Sequence, residues 1–273
     1  MPMTDRYGVI GHPIGHSKSP VIHRLFAAQA GEDMSYEAFD VAPADLEARL
    51  QAFAREGVRG LNVTVPHKEA VARLVDQLTD RAHLAGAVNT VIISADGRLD
   101  GDNTDGVGLL TDLTTNLGLT LKGARLLILG AGGATRGIVP TLLGSGPREL
   151  CIANRTVERA HEVAAHFKRL GTIGACSFGE LAAAPWDIVI NATAAGLQGG
   201  VPPVPEAIVG PDTACYDLSY AMNGTPFVGW ARRLGARQAW QGWGMLVEQA
   251  AEAFFIWRGV RPDTQPVREK LPA

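Results

Sequence analysis

The sequence predicts an α/β protein built from two domains, and three observations support this prediction. The chain has 273 residues, clearly more than the roughly 150 residues of an average domain. Over residues 1–105, short β-branched segments alternate with amphipathic helical stretches. From residue 106 onward six apolar segments recur, and six is the strand number of a common doubly wound α/β sheet.

The first domain is predicted to contain four strands and two helices. The strand segments are short apolar runs rich in β-branched or aromatic residues. The helical segments carry apolar residues at the spacing that forms one buried face. The strands are predicted at residues 7–10, 36–41, 61–65 and 88–93, and the helices at 20–30 and 45–55.

The second domain is predicted to hold six strands, at residues 126–129, 150–153, 172–176, 188–191, 214–218 and 238–240. A helix over 156–170 follows the second strand, and parallel strands require such crossover connections. A last helix over 245–258 has no strand after it, so we expect it to pack on the first domain. The predicted domains are therefore residues 1–105 completed by 241–273, and residues 106–240.

Composition excludes several classes of protein. With 46% hydrophobic and 19% charged residues, the chain has enough apolar material for a packed core and is not disordered. A net charge of -3 argues against a nucleic-acid or anionic membrane partner. The longest apolar runs are far shorter than the ~20 residues of a membrane helix, and no secretory signal is visible. We expect a cytoplasmic protein whose three cysteines are reduced.

A glycine turn in the segment ARLLILGAGGATRG, residues 124–137, predicts a nucleotide site. Gly130, Gly132 and Gly133 allow backbone N–H groups to approach a pyrophosphate at the N-terminus of the next helix. The spacing departs from GxGxxG because Thr135 stands in the place of the third glycine. A purely structural turn is the alternative, but strand, turn, helix and second strand all follow in order.

The residues after the next strand indicate which dinucleotide is bound. NAD-binding proteins place an acidic residue there, whereas this chain has Asn154, Arg155 and Thr156. Arg155 is a planar cation suited to a 2′-phosphate, and Arg159 follows one helical turn later. The alternative is that both arginines are solvated charges, but a helix N-terminus disfavours cations unless an anion is near. The sequence therefore favours NADP.

Two serines of the first domain form a candidate anion site. Ser19 is predicted to be the N-cap of a helix with Pro20 at its first position, and Ser17 lies two residues before it. Two hydroxyls beside a helix N-terminus can hold a carboxylate. The alternative is that Ser19 only caps the helix and Ser17 faces solvent. His12 and His16 flank the serines, but an intervening proline and glycine prevent the helix that an i, i+4 metal pair requires, so we predict no metal.

Lys68 and Asp105 are the candidate acid–base pair. Lys68 is predicted in the first turn of a helix opened by Pro66, where the helix dipole opposes a cation, so this lysine can exchange protons. Asp105 is predicted in the first turn of a later helix capped by Thr104, where an ionised carboxylate is favoured. We therefore expect Asp105 to be the partner of Lys68. Asn89 lies at the end of an apolar run between them.

Eight motifs now identify a family: HSKSP, NVTVPHK, AGAVNT, GDNTDG, GAGGATRG, NRTVER, INATAAG and GMLVEQAAEAF. In order and spacing, from Tyr7 to about Pro266, the chain resembles the shikimate dehydrogenase family. The resemblance implies a discontinuous α/β substrate domain built from both chain ends and a Rossmann-type doubly wound NADP-binding domain between them. It also implies the reversible NADPH-dependent reduction of 3-dehydroshikimate to shikimate, in aromatic amino acid biosynthesis, by a monomer or homodimer.

The resemblance assigns roles to individual residues. It makes Lys68 and Asp105 catalytic. The substrate would be bound by Ser17, Ser19, Asn62, Thr64, Asn89, Asp105, Tyr220 and Gln249. The cofactor would be bound by Gly130, Ala131, Gly132, Gly133, Ala134, Asn154, Arg155, Thr156 and Arg159, with Leu218, Gly242 and Met245 near the nicotinamide and Asp80 as a weaker candidate. Leu218 departs from the family, in which methionine is common at this position.

Three alternative functions use the same features. An NAD-dependent quinate/shikimate dehydrogenase would have the same fold, but Arg155 and Arg159 disfavour it. A non-catalytic regulator that senses NADP or shikimate could keep the same pocket, although Lys68 and Asp105 are both present. A different two-domain NADP enzyme, such as a methylene-tetrahydrofolate dehydrogenase, would leave the hydroxyl-rich set of side chains unexplained.

Overall fold

The computed structural model describes residues 4–271, except the side chains of residues 197 and 198, and the chain divides into two compact units. Unit 1 consists of residues 4–109 and 246–271, and unit 2 of residues 110–245. The junctions lie a few residues after those expected at 105/106 and 240/241. Both units combine a sheet with helices, so the predicted two-domain α/β class is confirmed.

Unit 1 contains a mixed six-stranded sheet. Its strands are β1 (Asp5–Gly11), β2 (Met34–Asp40), β3 (Val58–Val63), β4 (Gln77–Leu78), β5 (Thr90–Ile93) and β6 (Leu99–Asp102). They are arranged in the order β2-β1-β3-β5-β6-β4. Strand β1 pairs in parallel with β2 and β3, whereas β5 is antiparallel to β3 and β6. The four predicted strands are found, and the two short strands β4 and β6 are added.

Unit 2 contains six parallel strands, all of them predicted. They are β7 (Arg125–Leu129), β8 (Glu149–Asn154), β9 (Ile173–Ser177), β10 (Ile188–Asn191), β11 (Ala214–Asp217) and β12 (Gln238–Gln241). Their order is β12-β11-β10-β7-β8-β9. This is the order of a doubly wound dinucleotide-binding sheet, in which ligands bind at the carboxyl ends of the strands where the order reverses, here between β7 and β10.

The helices connect these strands and cover the sheets. They are α1 (Ser19–Ala30), α2 (Leu46–Arg55), α3 (Lys68–Val71), α4 (Asp80–Ala85), α5 (Asp105–Thr111), α6 (Gly133–Gly144), α7 (Val157–Phe167), α8 (Pro226–Arg233), α9 (Trp243–Arg258) and α10 (Gln265–Arg268). Each of the two junctions between the units falls inside a helix, α5 or α9.

Helix α9 packs on α1 within unit 1. Val247, Ala250 and Phe254 of α9 share one buried cluster with Ile22 and Phe26 of α1, and all five side chains are inaccessible to solvent. Burying a large apolar side chain contributes about 1.5–3 kcal/mol. The last long helix therefore completes the core of the unit that begins the chain.

The starts of two helices differ from the predictions. Helix α1 begins at Ser19 itself, and its N-cap position is Lys18 without a side-chain cap, so the prediction that Ser19 is the cap was wrong. The Ser17 hydroxyl instead accepts a hydrogen bond from the Ser19 N–H, at 3.3 Å. Helix α3 begins at Lys68, two residues after the proline expected to open it.

Cys151, Cys176 and Cys215 are free thiols, as predicted, and burial raises the pKa of Cys151 and Cys215 to about 12. Within residues 4–271, no helix is both long enough and apolar enough to cross a bilayer.

Candidate functional site

The structure brings Lys68 and Asp105 together in unit 1. The Lys68 ammonium Nζ donates a hydrogen bond to Asp105 Oδ2 at 2.5 Å. The two side chains are only 12% and 5% exposed, so water and salt screen their attraction weakly. The Lys68 ammonium can donate a proton, and the Asp105 carboxylate that accepts its hydrogen bond keeps it in place.

Asn89 holds the other oxygen of Asp105. Its Nδ2 donates to Asp105 Oδ1 at 2.8 Å and to the Thr104 hydroxyl at 2.9 Å. Its Oδ1 accepts from the Thr104 N–H at 2.8 Å, which fixes the orientation of the amide. Both carboxylate oxygens of Asp105 are therefore engaged, one by Lys68 and one by Asn89.

The segment Gly101–Gly106 is shaped by its own side chains and by Arg81. Arg81 donates through Nε and Nη2 to the two oxygens of Asp102, at 2.6 and 2.8 Å. Burial alone would raise the pKa of Asp102, but hydrogen bonds from Arg81 and Thr79 outweigh it and lower the pKa. Asn103 Oδ1 accepts the Asp105 N–H at 3.1 Å, an Asx turn that starts α5. Thr104 stands directly before α5, and its carbonyl accepts the Gly108 N–H at 3.0 Å, while its hydroxyl accepts from Asn89. That the Thr104 side chain caps this helix stays a prediction.

Asn62 lies beneath these groups, 5% exposed, and both its amide oxygen and its amide nitrogen are used. Its Oδ1 accepts from the Tyr36 hydroxyl at 2.7 Å, and His23 Nε2 lies 3.1 Å away. Its Nδ2 donates to the Asn89 carbonyl at 3.2 Å and to Thr90 Oγ1 at 3.3 Å. Asn62 thus supports the strand segment that carries Asn89.

His23 and Tyr36 are members of this network that the sequence did not reveal. Burial lowers the pKa of His23 to about 3, so its ring is neutral. Because the Asn62 amide oxygen can only accept, the ring proton must be on Nε2. The His23 ring stacks on Tyr36 with centroids 4.1 Å apart. In the sequence, His23 lies on the apolar face of a helix and cannot be told from a core residue.

The predicted hydroxyl groups lie in the chain that follows β1 and β3, with Ser19 at the start of α1. Ser19 is buried and Ser17 is partly exposed, both in the segment after β1. Burial raises the pKa of Tyr36 well above its ordinary value, and a hydrogen bond with Ser19 offsets part of this effect. Thr64 follows β3 and is partly exposed. Because β1 and β3 are parallel, these segments leave the same edge of the sheet.

Gln249 reaches the same network from α9. Its Oε1 lies 3.3 Å from Asn89 Nδ2, whose two hydrogens already have closer acceptors in Asp105 and Thr104, and its Nε2 donates to the Leu246 carbonyl at 2.8 Å. Gly108 of α5 allows α9 to approach this closely, since a Cβ on Gly108 would lie 2.7 Å from the backbone nitrogen of Gln249. Together these side chains offer hydroxyl, amide and charged groups that can bind a polyhydroxylated ligand and exchange a proton with it.

The glycine turn of unit 2 has the geometry of an anion-binding loop. Gly130 has a φ of 109°, a conformation that favours glycine, and a Cβ there would lie 3.0 Å from the Ala192 carbonyl. Helix α6 starts just after Gly132, an N-cap without a side chain, so its first N–H groups are left for a ligand. Thr135 explains the departure from GxGxxG, because its buried hydroxyl donates to the Gly130 carbonyl at 2.8 Å and fastens the loop. Ala131 and Ala134 belong to the same turn.

Arg155 and Arg159 lie at the start of α7, beyond the carboxyl end of β8. Both are exposed, and neither forms an ion pair with an acidic side chain described by the structure. Asn154 Nδ2 donates to the Thr156 carbonyl at 2.8 Å, which shapes the turn. Two cations at a helix N-terminus are suited to a phosphate group, such as the one that NADP carries on its ribose.

Leu218 and Gly242 come together elsewhere in unit 2, and Met245 follows three residues later at the start of α9. A Cβ on Gly242 would overlap the Leu218 carbonyl, and the Gly242 N–H donates to the Ser219 carbonyl at 3.0 Å. The Met245 N–H donates at 3.2 Å to the hydroxyl of Tyr216. That hydroxyl donates in turn to Asp112 at 2.6 Å.

Most residues assigned to the substrate lie in unit 1 and most assigned to the cofactor lie in unit 2, but Tyr220 and Asp80 are exceptions. Tyr220, assigned to the substrate, lies in unit 2, where its ring packs 4.3 Å from that of Trp243. Asp80, assigned to the cofactor, is the first residue of α4 in unit 1. No group of three or more potential metal ligands occurs among the residues that the structure describes.

Comparison with known proteins identifies the family. The chain matches models of the shikimate dehydrogenase substrate binding domain (residues 9–91), shikimate/quinate 5-dehydrogenase (112–198) and the shikimate 5′-dehydrogenase C-terminal domain (242–271). It is 54% identical to the shikimate dehydrogenase (NADP(+)) of Methylococcus capsulatus, covering 100% of this chain and 98% of that protein.

Solved structures agree. An Ael1 enzyme from Pseudomonas putida matches with a TM-score of 0.89 and 44% identity, covering 98% of both chains. The shikimate 5-dehydrogenase of Thermus thermophilus, solved in complex with NADP(H) and shikimate, matches with a TM-score of 0.85 and 36% identity, covering 97% of both chains. The resemblance inferred from the motifs is confirmed, and the chain belongs to the shikimate dehydrogenase family.

Proposed function

We propose that this chain catalyses the reversible NADPH-dependent reduction of 3-dehydroshikimate to shikimate, a step of aromatic amino acid biosynthesis. The observation that carries this proposal is the shielded Lys68–Asp105 pair, surrounded by hydroxyl and amide side chains. The family membership supplies the substrate class. The Methylococcus capsulatus relative is named as NADP(+)-dependent and the Thermus thermophilus relative was solved with NADP(H), which supports the same cofactor here.

The acid–base step belongs to Lys68. Reduction of a ketone places negative charge on its oxygen, and the Lys68 ammonium donates a proton to that oxygen. In the reverse direction the neutral amine accepts the proton of the alcohol. Asp105 and Asn89 hold the lysine in one position during both steps. Positioned general acid catalysis contributes typically ~10²- to 10⁴-fold to the rate.

The substrate is held by hydrogen bonds. Ser17 and Ser19 bind the carboxylate, with Tyr220 also assigned to this end, and each bond to the charged group contributes about 1.5–3 kcal/mol. The ring hydroxyls are bound by Thr64, Asn89, Asp105 and Gln249. Asn62 supports the site indirectly, because its hydrogen bond to the Asn89 carbonyl holds the segment that carries Asn89.

NADPH supplies the hydride when it is bound, and side chains and loops of unit 2 hold it. Residues 130–134 bind the pyrophosphate through backbone N–H groups. The segment from Asn154 to Arg159 binds the 2′-phosphate. Leu218, Gly242 and Met245 form the nicotinamide end, and Asp80 of unit 1 is also assigned to the cofactor.

Two alternatives with the same fold are not favoured, since the similar curated proteins are named as NADP(+)-dependent shikimate dehydrogenases. An NAD-dependent quinate/shikimate dehydrogenase would need no cation for a 2′-phosphate, so Arg155 and Arg159 count against it. A sensing regulator without activity would not need a proton donor held as Lys68 is. We also propose that the protein is a monomer or homodimer in the cytoplasm, without nucleic-acid or membrane partners, and that its domains are residues 1–105 with 241–273 and residues 106–240.

An assay with two substrates and two cofactors tests the proposal. The purified chain is given shikimate or quinate with NADP⁺ or NAD⁺, and reduction of the cofactor is followed by its absorbance. We expect the highest kcat/KM with shikimate and NADP⁺. A preference for quinate and NAD⁺ would favour the first alternative. Binding of shikimate without turnover of either substrate would favour the regulator.

A further inference from the structure

Asp217, the last residue of β11, is a carboxylate that is 0% exposed. Its Oδ1 accepts from Asn191 Nδ2 at 3.1 Å and from the Ser219 N–H at 3.0 Å. Its Oδ2 has no hydrogen-bond partner among the residues that the structure describes. Burial raises the pKa of Asp217 to about 6, and nearby donors on Thr225, Ser219 and Asn191 offset only part of this rise.

The surroundings of Asp217 are polar but almost free of charge. Asn191 faces it from β10, Thr225 from the N-cap of α8, and Gly196 from the turn after β10. The titratable neighbour is Tyr216 on the same strand, whose hydroxyl is bound to the Asp112 carboxylate. Burial raises the pKa of Tyr216 well above its ordinary value, with Asp112 and Asp217 adding to the effect. No arginine, lysine or histidine in the described part of the chain pairs with Asp217.

Asp217 determines the path of the chain at Leu218. The bond from the Ser219 N–H to Asp217 Oδ1 spans Leu218 and closes a turn around it. The Leu218 N–H donates to the Asn191 carbonyl at 2.9 Å, and the Leu218 carbonyl lies against Gly242. This turn leaves the carboxyl end of β11, the edge at which doubly wound sheets bind their ligands.

We propose that Asp217 is a positioning residue that also sets the balance between oxidised and reduced cofactor, its ionised carboxylate favouring NADP⁺ over NADPH. The inference deepens the proposed function, because it rests on Leu218, Gly242 and Met245 forming the nicotinamide end of the site. The nicotinamide ring is cationic in NADP⁺ and neutral in NADPH. Asp217 is buried, directly precedes Leu218, and has its backbone carbonyl against Gly242. A negative charge on its side chain therefore attracts the cationic form more than the neutral one, with little screening by solvent.

Linkage gives the inference a signature in pH. If ionised Asp217 favours NADP⁺, then NADP⁺ must favour ionised Asp217 by the same factor. Binding of NADP⁺ near pH 6 therefore releases protons from this group, and binding of NADPH does not. The 2′-phosphate also titrates near pH 6, but it is common to both cofactors and cancels in their comparison.

The test compares the affinities of the two cofactors as a function of pH. Dissociation constants of NADP⁺ and NADPH are measured by calorimetry on the 273-residue chain between pH 5 and 8. Two buffers of different ionisation enthalpy are used, so that released protons are counted. We expect the affinity for NADP⁺ relative to NADPH to rise about 5- to 20-fold across this range. We also expect extra proton release with NADP⁺ at pH 6.

The isosteric variant Asp217→Asn should remove both effects, giving a cofactor ratio that does not change with pH. The control Asp212→Asn changes an exposed aspartate of the same unit by one charge and should leave the wild-type behaviour intact. If the Asp217→Asn variant does not fold, the number of protons that the wild-type chain releases on binding NADP⁺ and NADPH tests the inference by itself. Equal proton release with both cofactors, or a variant that weakens both equally, would overturn the inference and leave the function standing. Binding of neither cofactor would contradict the proposed function itself.

Discussion

Lys68 meets the Asp105 carboxylate at 2.5 Å, and that contact is shielded from solvent. Replacing Lys68 with alanine should lower kcat by at least ~10²-fold with little change in KM, because proton transfer is an interaction of the transition state. Initial rates with shikimate and NADP⁺ measure both constants. Lys122→Ala, on an exposed lysine of unit 2, should keep wild-type values. Near-native turnover by the Lys68 variant would show that another group transfers the proton.

Site residues that stand at a recognisable position, such as the first turn of a helix, could be identified from the sequence. Site residues whose role comes from burial and distant partners could not. Lys68 and Asp105 are conspicuous because each is predicted in the first turn of a helix. His23, Tyr36 and Asp217 have no such signal. Their roles depend on desolvation and on partners 26 to 39 positions away in the chain, as in the bonds of Tyr36 and His23 to Asn62.

Helices α5 and α9 depend on Gly108 for their contact. An alanine Cβ at this position would lie 2.7 Å from the Gln249 nitrogen and 2.6 Å from its Cβ. Gly108→Ala should therefore lower the free energy of unfolding by about 1–3 kcal/mol despite the better helix propensity of alanine. Denaturant unfolding measures the change. Gly229→Ala, in a helix position where the added Cβ makes an ordinary 3.6 Å contact, is the matched control and should be neutral or stabilising.

The start of α7 is where cofactor choice should be decided. Replacing Arg155 and Arg159 together with glutamine should raise the KM for NADP⁺ and leave that for NAD⁺ almost unchanged. Charge-assisted bonds of about 1.5–3 kcal/mol each imply a loss of roughly two to four orders of magnitude in discrimination, allowing for non-additivity. Steady-state kinetics with both cofactors measure it, with Arg169→Gln as the exposed control on the same unit. Unaltered discrimination would place the selective group elsewhere.

Strand prediction succeeded where burial on both faces produces continuous apolar runs. Strands such as β7 and β10 of unit 2 are of this kind. The edge strands β9 and β12 are only partly buried, but all six parallel strands of unit 2 were predicted. Strands β4 and β6 of unit 1 were missed because their sequences, Gln77–Leu78 and Leu99–Asp102, contain no β-branched residue. They are strands because neighbouring backbone groups pair with them in the fold.

At the scale of the whole molecule, unit 1 cannot be completed without the last part of the chain. A chain that ends at Met245 loses Val247, Ala250 and Phe254, which cover Ile22 and Phe26. We expect its unit 1 to unfold, whereas unit 2 keeps all six strands of its sheet and binds NADP⁺. Limited proteolysis with mass spectrometry should give a protected fragment near residues 110–245. Protection of residues 4–109 in this truncated chain would contradict the expectation.

The contribution of α9 to unit 1 also fixes an order of events during translation. A ribosome delivers every strand of unit 2 before it has synthesised the helix that covers α1. Unit 2 can therefore finish folding while the apolar face of α1, which includes Ile22 and Phe26, is still exposed because α9 has not yet been synthesised. During that interval the nascent chain exposes an apolar surface that can aggregate. This surface stays exposed, and can be bound by a chaperone, until the residues after Met245 have left the exit tunnel.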